Sequence, residues 1–404
     1  MLLHGALTFV VKLQNRYVDR NGNLLSLKPP TKPEHTFDYT ANDLLKNYTP
    51  PDVGIGDTST NYLYNLDKQI KEIQRPDGRK INFNYDGGGR LSSILTGNDL
   101  ISINYNTSNQ ISSIQNSYET INYLYDGFLQ KREEFSGFVS GTIEKNYNND
   151  FKLTTLKVLG NQINYLYDND GYLTNAGDLT ITRSSQNGMI TGTSIGNVNE
   201  SYNYNGYGEI STFQANLPSG LSYQINYTRD ELGRIISKVE SFAGNVYNYE
   251  YGYDSNGRLV MVKKNGIIVE EYQYDGNGNR TYAKTLAGEF YGNYDNQDRL
   301  ISYGNNNYTY TANGELLTKT TPEGTTYYNY DKLGNLLSVI LPDGKTIEYI
   351  VDGLGRRIGK KINGQIVQKF IYEGQLTPVA ELDANNQIKA IYIYATKINV
   401  PDYI

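Results

Sequence analysis

One unit, aromatic-x-Tyr-Asp-x-x-Gly-Arg/Asn-Leu, returns along most of this chain, and such self-similarity constrains the fold before any single motif does. Clear copies are Tyr85-Asp86-Gly87-Gly88-Gly89-Arg90-Leu91, Tyr167-Asp168-Asn169-Asp170-Gly171-Tyr172-Leu173 and Tyr253-Asp254-Ser255-Asn256-Gly257-Arg258-Leu259. Tyr274-Asp275-Gly276-Asn277-Gly278-Asn279-Arg280 and Tyr330-Asp331-Lys332-Leu333-Gly334-Asn335-Leu336 are two more. Aligned through degenerate copies, the Asp slot falls at 65, 86, 106, 126, 148, 168, 185, 205, 230, 254, 275, 295, 311, 331 and 352. The step is about 20 residues, too short for a two-helix repeat.

Within a unit the pattern alternates. Ile81, Phe83 and Tyr85 fall on one face and Asn82 and Asn84 on the other. Tyr-x-Tyr pairs such as Tyr202/Tyr204, Tyr308/Tyr310 and Tyr328/Tyr330 place rings on a common strand face. Strict alternation with few helix caps predicts strands. Each unit then needs two turns. One is Asp-x-x-Gly, where the carboxylate accepts from backbone N–H groups two or three residues on and the Gly takes positive φ. The other is a hairpin turn such as Pro76-Asp77-Gly78, Asn265-Gly266, Pro322-Glu323-Gly324, Pro342-Asp343-Gly344 or Asn363-Gly364. The predicted fold is all-β: a long antiparallel meander of hairpins in one twisted sheet. The expected organisation is a proline-rich, partly irregular lead-in over 1–60, the repeat array over 61–372, and a different C-terminal segment over 373–404.

Composition supports thin, wetted sheets. Of 404 residues, 39 are Tyr and 40 Gly, while the hydrophobic share is 38%. Much of the apolar surface thus carries a hydroxyl, which suits sheets with a solvated face. The chain has no Cys, which excludes disulfides, thiolate metal sites and thiol catalysis. Its two His, His4 and His35, make a multi-His metal site a poor expectation. A net charge of −6 without a basic run argues against nucleic acid as a partner. No apolar stretch reaches the ~20 residues of a helical membrane span. Leu2 to Val11 lacks a basic leader and is read as a strand, so no clear signal peptide is present.

Several motif matches read better as plain turns. Gly192-Thr193-Ser194-Ile195-Gly196 fits a nucleophile elbow, but both histidines precede Ser194 and no helix follows. Gly344-Lys345-Thr346 ends like a phosphate loop, yet Val339 stands where the first Gly belongs. The loops at Asp168 and Asp275 resemble calcium loops but lack the Gly and Glu that an EF-hand requires. The pairs Glu133/Glu134 and Glu270/Glu271 are adjacent on strands and so face opposite ways. The repeated Asp residues are read as turn caps. The expectation is a non-enzyme with no catalytic, cofactor-binding or metal-ligating residue. Rows of Tyr and Asn resemble carbohydrate-binding surfaces, so a glycan-binding or adhesion module stands as the alternative. Sequons at Asn47, Asn106, Asn199, Asn226 and Asn307 would matter only in a eukaryotic secretory host.

Residues 62–394 resemble the YD repeats of RHS proteins. That family includes the RHS and wall-associated polymorphic toxins of bacteria, the B/C cocoon components of insecticidal Tc toxins, and animal teneurins. The segment from Pro29 to Pro51 resembles the region before such arrays. Pro378-Val379-Ala380-Glu381-Leu382-Asp383 to Pro401-Asp402 looks like the start of the family's C-terminal core. The resemblance implies a teneurin-like YD shell, a sheet that spirals around a cargo polypeptide such as a toxin, and a secreted or cell-surface location in a bacterium. The core's self-cleavage motif is absent before Ile404, so the shell is expected to be incomplete, with its missing segment and cargo as partners. An open strand edge is expected near 391–404, with edge-to-edge self-association.

Overall fold

The computed structural model describes residues 15–404. His4 and the strand expected over Leu2 to Val11 lie outside them. The described residues form 37 strands in one antiparallel sheet and no helix. Strands pair with their neighbours in sequence, as in Lys80–Tyr85 against Leu91–Thr96 and Asn245–Tyr253 against Leu259–Lys264. No pairing joins the last strand, Ile388–Ile391, to the first, Asn15–Val18, so the ladder is not closed into a barrel. The all-β meander expected from the alternation is the observed architecture.

The Asp-x-x-Gly turn has one recurring chemistry. Asp86 Oδ1 accepts from the N–H groups of Gly88 and Arg90, both at 2.9 Å. The backbone closes with Asp86 N–H donating to Arg90 O at 2.8 Å, and Gly89 adopts φ +76°. The carboxylate therefore caps the residues two and four positions on, not three. Arg90 Nε donates to the other oxygen at 2.7 Å, and the same pair forms at Asp230/Arg234, Asp254/Arg258, Asp295/Arg299 and Asp352/Arg356.

Degenerate slots keep the geometry by exchanging donor and acceptor. Asn106 Nδ2 donates to Gln110 Oε1, and Asn205 Nδ2 donates to Glu209 Oε2, both at 2.8 Å. Two aligned slots differ from expectation. Asp126 ends a strand and pairs with Leu129 across a tight hairpin. The slot aligned at 185 is filled by Ser184, whose N–H reaches Met189 O around one extra residue. The same chemistry also precedes the first aligned slot, at Asp19, and follows the last, at Asp383.

The Tyr of each unit does two things. Its hydroxyl donates to a backbone carbonyl in the preceding unit, as from Tyr85 to Ile70, Tyr125 to Ile111, Tyr167 to Leu153 and Tyr253 to Ile235, at 2.7–2.9 Å. It also marks a register shift, for example between Asn84 and Tyr85 or Asn329 and Tyr330. A bulge bends its strand and increases local twist, so each repeat that carries one adds curvature. The opposite face carries amide–hydroxyl rungs: Asn84 to Ser93, Asn104 to Ser113 and Asn293 to Ser302, at 2.8–3.0 Å.

The chain divides into two compact units. Unit 1 comprises residues 1–102 and 272–348, and unit 2 comprises 103–271 and 349–404. The core cluster lies in unit 2, where Ile121, Phe135, Val139, Ile143, Leu156 and Val158 pack with Ile371, Val379 and Leu382.

Candidate functional site

Each unit joins segments about a dozen repeats apart, and these seams are where side chains outside the repeat pattern gather. In unit 1 the seam is polar and runs between turns. Arg75 pairs with Glu315 and donates to Lys332 O at 2.9 Å. Asn313 Nδ2 donates to Asp77 Oδ2 at 2.7 Å. Lys32 Nζ donates to Asp295 O at 2.6 Å, and Gln297 Nε2 to Pro51 O at 2.7 Å.

The unit 2 seam is buried and charged. Lys145 Nζ lies 2.9 Å from Glu373 and 3.5 Å from Glu133. Glu133 points inward from strand Leu129–Gly137, on the face that also carries Phe135. Arg356 Nε donates to Asp352 at 2.8 Å, with both side chains essentially inaccessible, and Arg356 Nη1 donates to Gly374 O at 2.8 Å. Glu133, Lys145, Arg356 and Glu373 line an open cavity of about 460 Å³ together with Tyr123 and Gln130. Burial raises the Glu133 carboxyl above its ordinary value although Lys145 and Arg356 oppose the change. Burial alone would lower the Lys145 ammonium, but Glu373 and Glu133 outweigh it and raise it. Burial also raises the Tyr123 phenol. Two cations pair with three carboxylates within the wall, which makes this a clamp between early and late strands.

The weighed motifs fall into structural places. Ser194 lies mid-ladder in strand Ile190–Ile195, opposite Thr180 and Asn199, with no strand-to-helix turn around it. Gly344 and Lys345 form a hairpin turn closed by Leu341. Asp168 caps Asp170 and Tyr172, and Asp275 caps Asn277 and Asn279. Among the described residues no group of three acidic or His side chains is placed to hold a metal ion. Glu133 is buried and Glu134 exposed, as alternation requires. The sequon side chains of Asn47, Asn106 and Asn226 are engaged in internal hydrogen bonds.

The edge expected to be open near 391–404 is partly covered by the chain itself. Ile393 pairs with Tyr403, and Asp402 caps the N–H groups of Ala395 and Thr396. The Tyr403 hydroxyl donates to Ala176 O and accepts from Asp178 N–H, both at 3.0 Å. A terminal aromatic that finds both a donor and an acceptor on an earlier hairpin holds the segment down.

What these features define is a structural wall: an antiparallel sheet whose repeat turns are mostly carboxylate- or amide-capped and whose distant segments are clamped within each unit. The chain belongs to the Teneurin YD-shell family, which it matches over residues 11–404. Teneurin-1 of Mus musculus is 26% identical over 96% of this chain, and Teneurin-3 of the same animal is 30% identical over 47%. The chain spans only 15% of the length of that Teneurin-1. Among solved structures, the Photorhabdus luminescens Tc holotoxin pore matches with a TM-score of 0.66 at 14% identity, covering 94% of this chain and 26% of that one. The TcdB2–TccC3 complex matches with a TM-score of 0.60 at 13% identity, covering 94% and 28%. The chain is a segment of a YD shell. No helix among the described residues is long and apolar enough to cross a membrane.

Proposed function

We propose that this chain is a non-enzymatic wall segment that encloses a polypeptide passenger, such as a toxin, in a secreted or cell-surface protein. The observation that carries this reading is the pair of seams, where side chains 225 to 263 residues apart in sequence meet within each unit. The bulges curve the sheet, and the seams fasten it where it returns. One face offers amide and hydroxyl rungs, which can hydrate or contact an extended chain without selecting a sequence. The likeness to Tc toxin structures supports the fold of such a wall.

Limited proteolysis of the full-length protein that carries this chain tests the reading. The expected result is a passenger segment that stays intact until the shell is denatured. Digestion of that segment at the rate of the free polypeptide would overturn it.

A second reading, glycan binding, rests on Tyr207, which is 93% exposed at a turn tip beside Glu209 and Arg229. Glycan-array binding by this chain that disappears in Tyr207→Ala would favour it.

A further inference from the structure

Lys369 is a lysine in an unusual place. It sits in strand Gln365–Glu373 opposite Leu382 and is 5% exposed, yet it forms no ion pair among the described residues. Its Nζ donates to Asn386 Oδ1 at 2.9 Å, and the Phe138 ring covers it with its centroid 4.9 Å away. Phe138 is wedged in position, because a Cβ on Gly359 would lie 2.3 Å from its ring. The next residue, Val139, donates its N–H to Glu119 Oε2 at 2.9 Å. Glu119 is itself buried, and its Oε1 has no hydrogen-bond partner among the described residues. An amine and a carboxamide thus meet under the Phe138 ring, and a buried carboxyl is hydrogen-bonded to the residue that follows that ring.

We propose that Lys369 and Asn386 become joined by an intramolecular amide bond, with Glu119 carrying the proton. The Nζ lone pair attacks the Asn386 side-chain carbon, whose oxygen already faces the amine. The C–Nδ2 bond breaks, Nδ2 takes a proton, and ammonia leaves. One amide replaces another, so no oxidant or external reactant is needed.

The surroundings favour both protonation states that this step requires. Burial lowers the Lys369 ammonium, with Asp383 and Glu119 opposing it. Burial pushes Glu119 up to about 7, and the Asp352 charge adds to it. A neutral amine is the nucleophile, and a protonated carboxyl is the acid that a leaving amide nitrogen needs. Asp383 Oδ1 caps Asn385 and Gln387. That turn holds Asn386 at φ +62°, fixing where its side chain starts. Asn386 also lines an open cavity of about 550 Å³ beside Gly141 and Leu159, through which ammonia can escape.

The product would fasten strand Gln365–Glu373 to the turn beyond strand Thr377–Leu382. A chain without cysteine would thereby gain a cross-link that reduction does not open.

Intact-mass spectrometry of the denatured full chain tests this directly. The expected mass is lower than the sequence mass by one ammonia, with a branched tryptic peptide joining the segments around residues 369 and 386. Lys369→Arg and Glu119→Gln should each restore the full mass, and Glu119→Gln keeps both reacting side chains. The full sequence mass with only linear peptides in the wild-type chain would overturn the proposal. So would a mass deficit that survives in Lys369→Arg.

Discussion

Units 1 and 2 are built from the same repeat but fastened by different physics. Among the described residues, all five buried charged residues, Glu119, Glu133, Asp352, Arg356 and Lys369, belong to unit 2. So does the core cluster that runs from Ile121 to Ile393. Unit 1 joins its distant segments through part-exposed turn residues: Arg75, Asp77, Lys32, Glu315 and Asn313. The repeat supplies turns, bulges and rungs, all of which act over a few residues or between adjacent strands. It does not supply a seam. Each unit adds one by joining repeat residues to side chains such as Arg75 or Lys145 that the repeat does not specify, and unit 2 does so with buried charges. Buried charges bind tightly only while every partner is present.

The largest test of this difference uses one motif in two settings. Arg356→Ala would leave the inaccessible Asp352 carboxylate without its guanidinium, an expected loss of about 3–5 kcal/mol. Arg90→Ala removes the equivalent partner of Asp86 in unit 1, where the side chains are 34% and 24% exposed. There the expected loss is within about 1 kcal/mol. Urea denaturation of both variants reads the contrast. Equal losses would mean that burial does not distinguish the two units.

A second test follows the pH. The unfolded chain ionises Glu133 near 4.5, whereas the folded chain does so at higher pH. The stability tied to this group is therefore fully present below pH 4.5 and is lost as pH rises through the folded value. The slope is limited to about 1.4 kcal/mol per pH unit. In urea melts from pH 4.5 upward, the wild type should weaken relative to Glu133→Gln. Parallel curves would place Glu133 in contact with solvent.

The legible and illegible parts of this molecule divide along the same line. The repeat announced the strands, the faces and the Asp-capped turns, because those interactions close within five residues. Asn65 with Gln69, Asn106 with Gln110 and Asn205 with Glu209 were also readable: at these three slots the acceptor Asp becomes Asn and an acceptor appears four residues on, although Asn148 is followed by Lys152 instead. The matching pattern of an acceptor Asp with a donor four residues on would have located the turn at Asp19, where Asn23 stands in that place. The bulges had no such signal, since they depend on pairing register. The seams were hidden for a stronger reason. Nothing local connects Lys145 with Glu373 or Tyr403 with Ala176, and Glu133 read as one carboxylate among many. Its only trace was a charge on the strand face that Phe135 shares.

The smallest effect tests where unit 2 keeps its stability. The fourth turn position is left-handed throughout the repeat, with φ +76° at Gly89 and +79° at Gly257. At Phe151 the same conformation, φ +61°, is imposed on a bulky side chain that is 72% exposed. A non-Gly residue there costs roughly 1–2 kcal/mol, and the exposed ring returns little by burial. Phe151→Gly gives part of that back, because Gly also loses more backbone entropy on folding. The expected gain is about 0.5–1 kcal/mol, read as a higher urea midpoint with an unchanged slope. If the seam dominates unit 2, this relaxed turn should leave the loss caused by Arg356→Ala unchanged when the two substitutions are combined. A gain large enough to offset that loss would instead place the stability of unit 2 in its turns, and the contrast between the two units would then be one of turn quality.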